Sequence, residues 1–188
     1  MKSILLSNLA LAAVLSAGLA AAAAKAPVTT SYADPDLASK VGHEIRMYSW
    51  YSIWDNIDIR VVNGNVDLMG QLSQPYKKSD LQKIVGGIPG VKGVTNELQV
   101  LPLSDMDNRL RVQIARAIYR DAVLSRYGMQ PVPPIHIIVD NGHVTLEGVV
   151  STEMEKNIAG MRAASAGLSF GPVVNNLRVE TPSKNKRS

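Results

Sequence analysis

The residues whose types could support catalysis or hold a metal are three histidines, one glycine-rich run and scattered carboxylates. His43, His136 and His143 share none of the short, regular spacings that gather zinc ligands. His136 and His143 flank one hairpin at positions pointing away from Ile135, Ile137 and Val139, which predicts solvated strand residues. The run Gly86-Gly87-Ile88-Pro89-Gly90 follows a helical pattern and precedes a strand. A phosphate-cradling loop needs a helix N-terminus next, so this run reads as helix termination. Asp58 and Asp67 are expected to face each other across the outer side of a hairpin, with no pocket to raise a carboxyl pKa. No nucleophile, base and orienting group fall together, so the sequence predicts a protein that is not an enzyme, with no catalytic residue, metal or cofactor.

Surface chemistry carries more signal. From Leu110 onward at ~100° per residue, Leu110, Ile114, Ala117, Ile118 and Leu124 form one stripe, and Arg109, Arg116 and Arg120 gather on another beside Gln113. Val112, Tyr119 and Val123 make a second apolar strip next to those arginines. One reading packs that strip against a neighbouring domain and leaves the arginines as a solvated edge. The other sends the strip into lipid headgroups while the arginines meet phosphates. Tyr48, Trp50, Tyr51 and Trp54 concentrate aromatic mass after a first helix. If that helix persists, Trp50 lies off its Leu37, Val41, Ile45 face and is the residue expected in an interface, with a domain or a membrane.

These groups are positioned by a sequence that repeats itself. Ile57 to Gly70 reads IDIRVVNGNVDLMG and Ile135 to Gly148 reads IHIIVDNGHVTLEG; the copies close on NELQV and NNLRV. Asp34, Pro35 and Asp36 mark a helix start, and Leu37, Val41, Ile45 and Tyr48 fall on one face, predicting a helix to about Ser52. Alternation through Ile57, Ile59 and Val61, the Asn63-Gly64 turn and Val66 with Leu68 predict a hairpin. Leu81, Ile84, Val85 and Ile88 give a second helix, and Val91 to Leu101 a third strand. The second copy follows suit, with Asn141-Gly142 at the turn and Thr152 with Glu155 set for a capping box. Met154, Ile158, Met161 and Leu168 are its expected core positions on the second helix.

This αββαβ order, with the Asn-Gly turn, the glycine closing the second strand and the glycine-valine step before the last, resembles the BON domain family of bacterial envelope proteins. The likeness covers nearly all of residues 35–180. It implies an α+β fold: two tandem αββαβ domains, each a three-stranded mixed sheet packed on two helices. It also implies a cell-envelope location and links to osmotic or envelope stress response and to phospholipid binding. One departure stands out: the second copy has Leu168-Ser169-Phe170-Gly171-Pro172 where the first has Pro89-Gly90-Val91, so its last turn is expected to be rebuilt.

The expected organisation is a signal peptide over 1–24, a linker over 25–34, domains over 35–103 and 104–181, and a basic disordered tail over 182–188. Lys2, the apolar run Ile4 to Leu19 and the small residues Ala20 to Ala24 fit cleavage on export to the periplasm. An uncleaved anchor is the rival, but the run is interrupted by Ser7 and Asn8 and abuts a polar linker. The 188 residues include no cysteine, which excludes disulfides, thiolate chemistry and lipidation at an N-terminal cysteine. Within each domain the acids balance the bases, so the formal net charge of +4 comes from the termini and gives no nucleic-acid surface. The expected partner is an anionic phospholipid membrane surface, with an envelope protein as the alternative, and the sequence leaves the oligomeric state open.

Overall fold

The computed structural model describes residues 34–167 and 169–180; the expected signal peptide, most of the linker, Leu168 and the basic tail lie outside them. Helix α1 (Pro35–Met47) begins where the Asp34 carboxylate accepts the Leu37 N–H at 3.1 Å, and it buries Leu37, Ala38, Val41 and Ile45. It stops earlier than periodicity alone suggests. Tyr48 turns to an extended conformation and donates its hydroxyl to Asp80 at 2.7 Å, so the aromatic run that follows is a loop.

Strands β1 (Asn56–Val62) and β2 (Asn65–Leu72) pair antiparallel with Ile59 opposite Leu68, joined by Asn63 and Gly64 at φ 53° and 83°. Both turn residues need positive φ, which is why Asn-Gly specifies a two-residue hairpin. Helix α2 (Tyr76–Gly86) turns Lys77, Leu81 and Val85 inward. The third strand comes in two pieces, β3 (Gly93–Asn96) and β4 (Gln99–Val100), both parallel to β2. At the break, the Asn96 amide donates to the Lys78 carbonyl at 2.8 Å and its oxygen accepts the Leu98 N–H at 3.3 Å, tying strand to helix.

The second domain repeats the order as α3 (Asp105–Tyr119), β5 (Ile135–Asp140), β6 (His143–Val150), α5 (Glu153–Ser165), β7 (Val174–Asn175) and β8 (Arg178–Val179). Asn175 makes the same clamp, to the Lys156 carbonyl at 2.8 Å and from the Leu177 N–H at 3.3 Å. The protein is thus α+β, two tandem αββαβ domains, each with a mixed sheet covered by helices on one face. A short additional helix, α4 (Ser125–Gly128), fills the long connection after α3.

Four expectations change. Asp67 lies opposite Arg60, not Asp58, and forms an ion pair with it at 2.6 Å. Helix α5 turns Glu155, Ala159 and Ala163 inward and leaves Met154 and Met161 exposed, because small residues let it lie close on α3. Thr152 accepts the Glu155 N–H at 3.2 Å, yet the Glu155 carboxylate is drawn inward instead of completing a reciprocal box. The rebuilt turn keeps its hairpin anchor: Phe170 N–H donates to Gly142 O at 2.9 Å, as Lys92 does to Gly64 at 2.8 Å. The extra residue is taken up at Gly171, whose φ is 144°.

Candidate functional site

Helix α3 is built to show two unlike faces. Ser104 caps it by accepting the Asp107 N–H at 3.2 Å, and Leu110, Ile114 and Ile118 bury one stripe in the core. Buried Asp107 reaches the hairpin turn, accepting the N–H groups of Asn141 at 3.0 Å and Gly142 at 2.9 Å. Buried Arg111 donates to the Val139 carbonyl and to Asn108, both at 2.6 Å. The helix is thereby fixed to β5 and β6, and its outer face cannot roll inward.

On that outer face, Arg109, Arg116 and Arg120 are exposed, and no carboxylate pairs with them among the described residues. Arg116, Arg120 and Arg162 rim a shallow depression with Ala117, Asp121 and Ala122. The Asp121 carboxylate is already committed: it accepts the Val123 N–H and the Arg162 Nε–H, each at 2.8 Å. Those bonds, the backbone one foremost, hold it below the usual carboxylate pKa. Three guanidinium groups therefore surround a site whose one acid is spent.

The strip beside the arginines divides. Val112 and Val123 are 39 % and 40 % exposed. Tyr119 is half-buried against the core of its own domain, and its hydroxyl donates to the Ile135 carbonyl at 2.6 Å. Val123 lies beyond the end of α3, in the turn that leads to α4. Trp50 is also off its helix; it is 62 % exposed and meets Tyr76 edge-on with ring centroids 6.3 Å apart.

Its neighbours join the domains. Ile53 and Trp54 pack on the core of domain 2, and Ile137 N–H donates to Ile53 O at 2.7 Å, adding a short extended segment to the open edge of β5. His136 closes the junction: Nδ1 donates to the Asp55 carbonyl at 2.6 Å, and the Tyr51 ring lies 5.5 Å from the imidazole. At 7 % exposure His136 is buried, not solvated, because the outer face of β5 is covered by domain 1. That burial holds its pKa below the ordinary histidine value and pushes the Tyr51 hydroxyl up to about 12.

A buried ion pair holds this segment in place. Asp55 receives Lys77 Nζ at 2.6 Å, the N–H and hydroxyl of Ser52 at 3.0 and 2.8 Å, and those of Ser73, both at 2.8 Å. Lys77 also donates to Ser73 Oγ at 2.9 Å. Every strong group in the cluster is satisfied, as a dry charge pair requires. In domain 2 the corresponding place holds Glu155, hydrogen-bonded by Tyr127 at 3.0 Å and ion-paired with Arg126. Burial works against that carboxylate, but its bonds from Tyr127 and Thr152 and the Arg126 charge outweigh burial and lower its pKa.

The geometry defines a class first: a paired sheet-and-helix protein with binding faces and no reactive centre among its described residues. The BON domain model matches residues 33–102 and again 107–181, so the chain belongs to the BON domain family, with two copies. BON domains are non-catalytic binding modules of envelope proteins. No curated protein matches the chain. It is similar to CdsD, a structural protein of the type III secretion system of Chlamydia trachomatis, at 16 % identity and TM-score 0.30, over 77 % of this chain and 61 % of that one. The C-terminal domain of the same protein gives 16 % identity and TM-score 0.31, over 77 % and 65 %. The chain thus spans less than two thirds of the length of these solved chains. No helix among the described residues is long and apolar enough to cross a membrane.

Proposed function

We propose that this protein is an exported, periplasmic binding module that associates peripherally with anionic phospholipid surfaces and serves protection against envelope or osmotic stress. One observation carries the reading: Arg116 and Arg120 stand without carboxylate partners around a depression whose single acid, Asp121, is held by Arg162 and the backbone. Arg109 extends the charge along α3, and Val112 and Val123 supply apolar contact beside it. Each arginine near an anionic surface contributes about 1 kcal/mol, so the three together give reversible, salt-sensitive attachment. Tyr119 supports the face from within, and Trp50 is exposed on the other domain.

Cosedimentation with phosphatidylglycerol vesicles tests this. Arg116→Glu with Arg120→Glu should weaken binding at least tenfold, and raising the salt should weaken the wild type. Unchanged sedimentation of the double variant overturns the reading. A protein-interaction role is favoured by a different observation, the open edge of β1.

A further inference from the structure

The two copies can be matched residue for residue, and the match exposes a difference. Leu37, Val41 and Ile45 on α1 correspond to Leu110, Ile114 and Ile118 on α3, and Ile57 and Ile59 on β1 to Ile135 and Ile137 on β5. In domain 2 the outer edge of β5 is occupied: Ile137 N–H bonds Ile53 O, while Ile53 and Trp54 add to the core that Ala115 and Tyr119 of α3 also join. In domain 1 the corresponding edge is open. Because Val62 and Asn65 flank a two-residue turn, Asp58, Arg60 and Val62 turn their backbone groups to β2, and Ile57, Ile59 and Val61 turn theirs outward. Those outward groups have no backbone partner among the described residues.

A groove runs along this edge. Ala38, Gly42, Ile45 and Arg46 of α1 form one side, Ile57 and Ile59 another, and the facing sheet of domain 2 the far wall, enclosing about 1330 Å³. That exceeds the roughly 300–1,000 Å³ of small-molecule sites, and the groove is open-sided, so its shape suits a chain. Ala38 and Gly42 stand where domain 2 has Arg111 and Ala115, which leaves the helix side of the groove hollow. Charges of both signs stand along it, Arg46 and Arg178 with Asp58 and Glu97, so no strongly charged ligand is selected.

We propose that the β1 edge and the α1–β1 groove capture an extended segment of a protein partner by strand addition. The occupied copy defines the occupant: a main chain that pairs with Ile57, Ile59 and Val61, and branched or aromatic side chains, as Ile53 and Trp54 are, seated over Ala38 and Gly42. This site is distinct from the arginine face of α3, so either can fail without the other.

The test uses the full mature protein, labelled with ¹⁵N, and a capped synthetic peptide with the sequence of residues 50–56, the segment whose like already seats on the equivalent edge. The expected result is shifts at Ile57, Ile59, Val61 and Gly42, with amide exchange at Ile59 slowed at least fivefold. Gly42→Leu should weaken binding at least tenfold; an added Cβ meets only the Arg46 guanidinium at 3.3 Å and Ile59 Cδ1 at 3.8 Å, and losing a mid-helix glycine favours the helix, so that variant folds. Arg116→Glu with Arg120→Glu should bind the peptide as the wild type does. Absence of binding at millimolar peptide, shifts confined to β5, or indifference to Gly42→Leu overturns the proposal. Protection of the same edge by concentration-dependent self-association would make a second copy the occupant and overturn it equally.

Discussion

Replacing Lys77 with alanine removes the one cation that meets Asp55 inside domain 1. Asp55 is fully buried, so the variant keeps a carboxylate in a dry site with four neutral donors, the N–H and hydroxyl groups of Ser52 and Ser73. Stripping one partner from a buried pair costs about 3–5 kcal/mol. The surviving donors put the expected loss at the lower end, about 3 kcal/mol, which is a large share of the ~5–15 kcal/mol that holds a domain folded. At about 4–8 °C per kcal/mol for a domain of this size, the melting temperature should fall by about 12–24 °C. Both tryptophans, Trp50 and Trp54, lie in or beside the segment that the pair anchors, so urea unfolding read by tryptophan fluorescence reports the loss. Removing both charges tests the cause: Asp55→Asn with Lys77→Met leaves no unpaired ion, and the serine hydroxyls can turn to donate to or accept from the amide. That double variant should recover most of the lost stability. A loss under about 1 kcal/mol for Lys77→Ala, the value of an ordinary hydrogen bond, would refute the reasoning. So would a double variant as unstable as the two single changes summed.

The His136 junction should weaken in acid. Its folded pKa lies below the unfolded value of about 6.5, so between the two the unfolded chain binds more protons; the contribution is complete above ~6.5 and shrinks as pH falls through that window. Thermal melts from pH 7.5 down to pH 5 should show a steeper loss for the wild type than for His136→Phe, and parallel curves would contradict the assignment. Gly148 has φ 113°, and an added Cβ would collide with the Pro134 carbonyl oxygen. Gly148→Ala should therefore destabilise domain 2 by more than ~2 kcal/mol in denaturant titration, and a neutral result would mean the β5–β6 crossing can relax.

What was legible in the sequence was whatever short-range chemistry dictates. Asn63-Gly64 and Asn141-Gly142 specify their hairpins alone, and period-two alternation around them fixes which residues enter each core. The end of α1 was not legible, because Tyr48 leaves the helix for Asp80, a residue 32 positions away. Nor was the Asp55 and Lys77 pair, two single charges separated by 22 residues with nothing in their spacing to join them. The burial of His136 did have a signal: Ile135 to Val139 is apolar at Ile138 as well as on the core face, the pattern of a strand covered on both sides. On α5 the large methionines suggested the wrong stripe, since close helix approach selects the small Ala159 and Ala163 instead. Of the arginine face, the sequence placed Arg109, Arg116 and Arg120 on one side of α3, but the commitment of Asp121 to Arg162 depends on a contact 41 positions long.

A duplicated chain risks folding onto itself out of order, laying the second helix of one half on the sheet of the other. Counting from the hairpin glycines, Gly70 and Gly148, Lys77 in one half and Glu155 in the other stand at the same place. Their polarity is reversed, with Asp55 awaiting the first and Arg126 with Tyr127 the second. A crossed assembly would press Glu155 toward Asp55, two carboxylates away from water, and Lys77 toward Arg126. The interior charges thus act as a keyed lock, allowing each half to close only around its own helix.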